Sequence, residues 1–326
     1  VPDDVLPYAL LYLRIYLLGM PVILLYNFEA AIFRSIGDTK VPLAALAVSG
    51  VLNVLLNLFF VIGCNMSAEG VAIASAIAQW VSAILIMLHL MHRRDCCRIC
   101  LNKLRFHRLA SKRVLLIGVP SGLQNAIFAV ANLFVQAGLN SFDEITVSGA
   151  AAAANADTLV FNMMAAFYTA CASFVSRNWG AGRNDRIRKS YYISTLYASI
   201  VGALAGVLLI LFGRQFLGFF ADKPEVIDAG VDRLRIMAFS YFIAPLMDCS
   251  IAASRGLGRS VAPTVMVIMG SCVFRVVWIY TVFAFFHTIT SLYLLYIVSW
   301  IITGVAEAIY FRMSYKKYVL ERSMTW

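Results

Sequence analysis

The sequence is poor in charged residues and has no motif of nucleotide or hydrolytic chemistry. Only 13% of its 326 residues are Asp, Glu, Lys or Arg, against about 25% in soluble domains. There is no P-loop, nucleophile elbow or His-Glu-x-x-His motif, and the four histidines are scattered. These absences argue against an ATP-driven pump within this chain. They also argue against a membrane-embedded transferase, which would need clustered His or Asp at a membrane face. We expect no enzyme and no cofactor.

Apolar residues take the place of charged ones. They make up 61% of the chain, and the mean hydropathy is +0.81. Crossing the hydrocarbon core takes about 20 apolar residues in a helix, and lipid leaves no partner for an unpaired backbone amide. Nine segments are long enough: 8–33, 41–62, 70–91, 114–139, 147–175, 192–212, 231–254, 261–286 and 291–312. The predicted fold class is therefore an all-α, polytopic membrane helical bundle.

The net charge of +10 is arranged by membrane topology. Most of the 27 Lys and Arg residues fall in alternate connections and in the C-terminal tail, whereas the opposite connections are acidic. The positive-inside rule makes the basic set and the C-terminus cytoplasmic, and places residue 1 outside. We therefore expect an odd number of helices upstream and no nucleic-acid partner.

The seven cysteines do not indicate a structural metal centre. Cys96, Cys97 and Cys100 form a C-C-x-x-C run in a basic loop, but a structural zinc site takes four ligands. His92 or His107 could complete such a site. The favoured interpretation is a set of reduced cytoplasmic thiols, with no structural metal.

A duplicated motif is the most specific feature of the chain. The pattern R-x-x-G-x-[ST]-x-x-P occurs twice between apolar segments, with an offset of 221 residues, as Arg34, Gly37 and Pro42 and as Arg255, Gly258 and Pro263. It predicts a helix end with a cytoplasmic arginine, a glycine turn, a hydroxyl N-cap and a proline early in the next helix.

Repeated halves are typical of secondary transporters, whose substrate site lies at the interface between repeats. In the second half, three spans (114–139, 147–175 and 192–212) precede the pair of spans that flanks the motif. Three helices are therefore expected to be missing before the corresponding pair in the first half. The predicted domains are the C-terminal half of an N-lobe at 1–91, a basic cytoplasmic linker at 92–113, and a six-helix C-lobe with its tail at 114–326. A small-residue stripe, Gly202-x-x-x-Gly206, predicts close helix packing.

Three stretches carry a family resemblance: 25–42, 149–157 with 177–181, and 247–258 with 275–278. Together they resemble the multidrug and toxic compound extrusion (MATE) family, in particular its DinF-like bacterial branch. The resemblance implies two six-helix lobes in an inverted V, of which about nine of the twelve helices are present here. It also implies a monomer in the bacterial inner membrane that exports amphipathic organic cations in exchange for inward Na⁺ or H⁺.

Charged residues inside spans are costly and are therefore candidates for function. Asp157, with Asn155 two residues earlier, could hold Na⁺ through oxygen ligands or carry a proton. Asp248 could bind a cargo cation or a proton. Arg275 is expected to neutralise Asp157 or Asp248.

Two glutamates lie five residues before an arginine at a predicted cytoplasmic end, Glu29 before Arg34 and Glu307 before Arg312. Both are expected to extend toward the interface, although Glu29 is kept as a candidate coupling residue.

Uncharged residues complete the candidate site. Asn125 is expected to line a cavity and Tyr168 to contact organic cations. Gln124, Asn125 and Asn132 are predicted not to share one face, so that only some of them reach the cavity. The expected function is a cation-coupled exporter; a lipid-linked oligosaccharide flippase is the main alternative and would need a multi-arginine cavity.

Overall fold

The computed structural model describes residues 6–95, 97–100, 102 and 104–320, so Cys96 lies outside the described residues. Within these ranges the regular structure is helical, without strands. The chain divides into two compact units, Val1–Phe106 and His107–Trp326. The boundary between the units falls inside the segment predicted to be a linker.

The N-terminal unit consists of three helices: α1 (Leu6–Ile36), α2 (Lys40–Leu58) and α3 (Ala68–His92). A π-helical turn, Phe59–Gly63, extends α2. The buried residues Phe33, Ile86 and Leu90 belong to one core cluster between α1 and α3. Large apolar side chains elsewhere on α1 and α2 are exposed, as expected for helices whose outer faces contact lipid.

The C-terminal unit contains seven further helical elements: α4 (Arg108–Leu139), α5 (Glu144–Gly180), α6 (Asn184–Leu217), α7 (Pro224–Ala238), α8 (Ser240–Gly256), α9 (Val261–Phe286) and α10 (Ile289–Ser314). Among the described residues, eight helices are long and apolar enough to cross a membrane, and α7 with α8, bent by 52°, can form a ninth span. All nine predicted segments fall on these elements, which confirms the helical membrane fold.

The two copies of the repeated motif form the same turn. Gly37 has a φ of 86° and Gly258 a φ of 78°, in the left-handed region that favours glycine. Each glycine N–H donates to the carbonyl three residues earlier, over 3.0 Å to Arg34 and 2.8 Å to Arg255. The following N–H donates to the carbonyl five residues earlier, over 3.0 Å in both copies. This pair of bonds is a Schellman motif, and it ends α1 and α8.

The hydroxyl residues of the motif occupy the N-cap positions but do not cap the helices. Thr39 and Ser260 make no side-chain cap hydrogen bond, so that part of the prediction is wrong. Asp38 accepts from the first backbone N–H of α2 over 3.1 Å instead. The Ser260 hydroxyl donates to the Ile117 carbonyl of α4 over 3.1 Å. The motif's prolines lie in the first turn of the next helix, at Pro42 and Pro263.

Close packing of small residues holds α6 against the bent span. Pro245 has no N–H, so the Tyr241 carbonyl lacks its usual helical donor. Gly202 lies so near this carbonyl that a Cβ atom there would collide with it. A Cβ at Gly206 would lie 2.7 Å from the Ala238 carbonyl oxygen. The predicted stripe is therefore a packing surface.

Candidate functional site

A polar cavity of about 340 Å³ lies inside the C-terminal unit. Its walls come from α4, α5, α7, α8, α9 and α10, with aromatic side chains among the lining. The polar side chains are Gln124, Asn125, Asn132, Asp157, Arg233, Asp248 and Arg275. Four of the predicted site residues are thereby brought together: Asn125, Asp157, Asp248 and Arg275.

Asp157 is held by two partners in the wall of this cavity. Its carboxylate accepts from the Arg233 guanidinium of α7 and from the Tyr241 hydroxyl of α8. The side chains of Arg233 and Asp157 are only 12% and 11% exposed. Arg233 also donates to the Ala150 carbonyl, and its Cζ lies 5.4 Å from the centre of the Tyr293 ring. The pair is therefore buried, with hydrogen bonds to both charges.

The expectation that Arg275 neutralises a carboxylate is wrong. Arg233, not Arg275, pairs with Asp157. No ion pair joins Arg275 to Asp248 or to any other carboxylate of the described residues. Asp248 likewise forms no ion pair with any described residue.

Arg275 is instead surrounded by an amide and two aromatic rings. It is 1% exposed, and its Nη1 donates to Asn132 Oδ1 over 2.9 Å. The guanidinium carbon lies 4.9 Å from the Phe128 ring centre and 4.6 Å from that of Tyr296. A cation–π contact of this kind contributes about 2 kcal/mol when desolvated, whereas a buried ion costs several kcal/mol. The two rings therefore offset only part of the burial cost.

One arginine of the repeated motif is hydrogen-bonded to a residue of the cavity wall. Arg255 lies in the last turn of α8, and its Nη2 donates to Gln124 Oε1 on α4 over 2.9 Å. The helix end formed by the motif is thus joined to the cavity wall by a side-chain hydrogen bond.

Two predicted residues of the C-terminal unit do not line the cavity. Asn155 is exposed and bonds back to the Ala152 carbonyl over 3.3 Å. Residues two apart on a helix point about 200° apart, so Asn155 cannot face the same space as Asp157. Tyr168 is not among the lining residues.

The prediction that Gln124, Asn125 and Asn132 cannot all line a cavity is also wrong. All three do. At about 100° per residue, their positions span an arc of roughly 100° on α4, which one concave wall accommodates.

The two glutamates do not extend to the interface. Glu29 and Glu307 are buried, and their carboxylate oxygens have no hydrogen-bond partner among the described residues. Each shares a helix face with a buried phenylalanine four residues on, Phe33 and Phe311, so each points into packed protein. Glu29 belongs to the N-terminal unit and is not part of the cavity.

Sequence reasoning missed Arg233 because it lies near the predicted start of its span. A signal was present in the spacing of the cavity residues along this span. Met237, Ala244 and Asp248 follow Arg233 by 4, 11 and 15 residues, which places all four on one helical face. All four line the cavity.

The MatE family model matches residues 1–59 and 120–281, more than half of the chain. The chain belongs to the MATE family. This family consists of multi-pass membrane transporters rather than enzymes, as the sequence predicted.

Curated relatives and solved structures agree with this assignment. A probable multidrug resistance protein, YpnP of Bacillus subtilis, is 25% identical over 244 residues, covering 74% of this MATE chain and 54% of the relative. The FAD transporter of Shewanella oneidensis is 24% identical over 227 residues, which cover 67% of this chain and 49% of the relative.

The crystal structure of a MATE protein in the bent conformation superposes with a TM-score of 0.87 at 19% identity, covering 99% of this chain and 72% of that one. A transporter from Pyrococcus furiosus, described as having a binding pocket of reversed polarity, superposes with a TM-score of 0.87 at 20% identity. The match covers 94% of this chain and 70% of that one. These structures show the fold. The MATE chain spans about half the length of the curated relatives it matches.

Proposed function

We propose that the protein is a secondary active exporter of small organic molecules, driven by inward H⁺ or Na⁺. The observation that carries the proposal is the polar cavity, in which carboxylates on α5 and α8 face two arginines inside membrane-spanning helices. Relatives named as multidrug resistance proteins and as an FAD transporter support export of organic cargo. The expected setting is the bacterial inner membrane, with a monomer whose C-terminus is cytoplasmic.

Asp157 is the proposed coupling residue. Carboxylate oxygens are ligands for Na⁺-like hard cations and accept protons. A proton or Na⁺ at Asp157 would weaken its attraction for Arg233, which belongs to a different helix. Arrival of the driving ion would thereby loosen α5 from α7 beside the cargo cavity.

The charged side chains that line the cavity without forming an ion pair among the described residues are one carboxylate, Asp248, and one guanidinium, Arg275. The proposed cargo is therefore an amphipathic molecule bearing a charged group of either sign, rather than a cation only.

The test is efflux of fluorescent organic compounds from cells, with the Na⁺ and pH gradients varied independently. Efflux that collapses with one gradient identifies the coupling ion. Asp157→Asn is expected to abolish efflux when the rate is normalised to the folded protein in the membrane, whereas Asp228→Asn, at an exposed surface pair, should leave it intact. Normal efflux by Asp157→Asn would contradict the coupling role. Absence of organic efflux together with translocation of a lipid-linked anion would favour the flippase alternative.

A further inference from the structure

Arg275 is a buried charge for which the described protein supplies no counter-charge. It is the fifteenth residue of the 26-residue span formed by α9, so it lies near mid-membrane, far from lipid headgroups. A guanidinium stays protonated in proteins and carries five N–H donors. Its Nη1 bonds to Asn132, but Nε and Nη2 are buried without a hydrogen-bond partner.

The two unpartnered nitrogens lie on the same edge of the guanidinium plane. Their N–H bonds point in nearly the same direction, which is the geometry that receives two oxygens of one carboxylate or phosphate. The rings of Phe128 and Tyr296, with centres 4.9 and 4.6 Å from the guanidinium carbon, fix this plane. The edge is thus preorganised for a bidentate anion.

Neighbouring carboxylates do not occupy this edge. Asp157 is taken by Arg233 and by the Tyr241 hydroxyl. Asp248 lines the same cavity but makes no ion pair with Arg275 among the described residues. The aromatic side chains of Phe161 and Trp300 also line this cavity, and the centres of these two rings lie 5.6 Å from each other.

We propose that this edge of Arg275 binds the carboxylate or phosphate of an aromatic cargo, whose ring lies against Phe161 and Trp300. The proposal rests on the proposed function in taking the cavity as the cargo site. It narrows the cargo class to molecules with an anionic group, whether their net charge is negative or zero.

Three probes with the same ring test the proposal on the purified protein in detergent: radiolabelled benzoate, phenyl phosphate and benzylammonium, each measured by equilibrium dialysis. Benzoate or phenyl phosphate should bind in preference to benzylammonium. Arg275→Met should weaken anion binding by about ten- to a hundred-fold, the usual range for losing hydrogen bonds to a charged group. Arg275→Lys should be intermediate, because an ammonium keeps the charge but not the planar fork. Arg214→Met, at an exposed arginine, should bind like the parent.

Thermal unfolding separates an anion site from a structural charge. Without ligand, Arg275→Met should melt at or above the parent's Tm, because it removes a buried charge that has no ion-pair partner among the described residues. Benzoate should raise the Tm of the parent but not that of Arg275→Met. A ligand-free Arg275→Met that melts far below the parent would make Arg275 a structural counter-charge and overturn the proposal. Preferential binding of benzylammonium, or anion binding unchanged by Arg275→Met, would overturn it as well.

The exporter role and the anion site can fail separately. If the protein moves no organic compound but binds benzoate through Arg275, the exporter role is refuted and the anion site is supported. If organic cations are exported while neither anionic probe binds, the exporter role stands and the anion site falls.

Discussion

The buried pair between Asp157 and Arg233 should show strong energetic coupling. Both side chains are nearly inaccessible, at 11% and 12% exposure. Removing one partner of such a pair costs about 3–5 kcal/mol, because it leaves the other charge buried and unpaired. The single variants Asp157→Asn and Arg233→Met should each lose that much stability. The double variant leaves no stranded charge, so its loss should be close to that of one single variant. The expected coupling energy, which is the sum of the two single losses minus the double loss, is about 3–5 kcal/mol.

The assay is unfolding by SDS titrated into mild-detergent micelles, followed by tryptophan fluorescence, for the parent, both single variants and the double variant. The chain offers a matched control in the exposed pair Arg214–Asp228, with side chains 62% and 54% exposed. Arg214→Met and Asp228→Asn should couple by less than about 1 kcal/mol. The reasoning is refuted if the buried pair couples no more strongly than this exposed pair.

Four further substitutions have expected outcomes. Gly258→Ala should lower the free energy of unfolding by about 1–2 kcal/mol, because a Cβ is strained in the left-handed region even in open space. Gly118 lies inside α4, where an added Cβ would have no neighbour within 4 Å beyond its own helix backbone, so Gly118→Ala should raise the free energy of unfolding by about 0.5–1 kcal/mol. Both changes are measured by SDS unfolding. Gly202→Ala should reduce folded yield in size-exclusion chromatography far more than either, since its Cβ would collide with a backbone carbonyl. The N-cap residue Asp143 should make the stability depend on pH, because hydrogen bonds from Thr146 lower the pKa of its carboxyl group. Its contribution to stability is present above the ordinary carboxyl pKa and is lost as the pH falls through the lowered pKa of the folded protein. In a pH series of thermal melts, Asp143→Asn should flatten this fall in Tm at low pH.

The number and position of the spans could be predicted from the sequence because hydrocarbon thickness fixes the length of an apolar helix. The glycine turns could be predicted as well, since a left-handed residue at a helix end leaves a local signature, as at Gly37 and Gly258. Both properties depend on neighbouring residues in the chain. They do not require knowledge of how one helix is rotated against another.

The pairing of charges could not be predicted for that reason. Nothing local to Asp157 distinguishes Arg233 from Arg275 as its partner; the rotations of α5, α7 and α9 decide it. The same holds for Glu29 and Glu307, where the nearby arginine suggested the interface but the helix face turned the carboxylate inward. Tertiary packing therefore determines which residues share a cavity wall.

The 52° bend between α7 and α8 divides the seventh span into two rods. Arg233 lies on the first rod and Asp248 on the second, so the two charges that this span contributes to the cavity belong to different helical segments. The first rod is attached to α5 through Asp157, and the second is joined to α4 through Arg255 and Gln124. A small change in the bend would therefore alter the distance between Arg233 and Asp248 without breaking a helix.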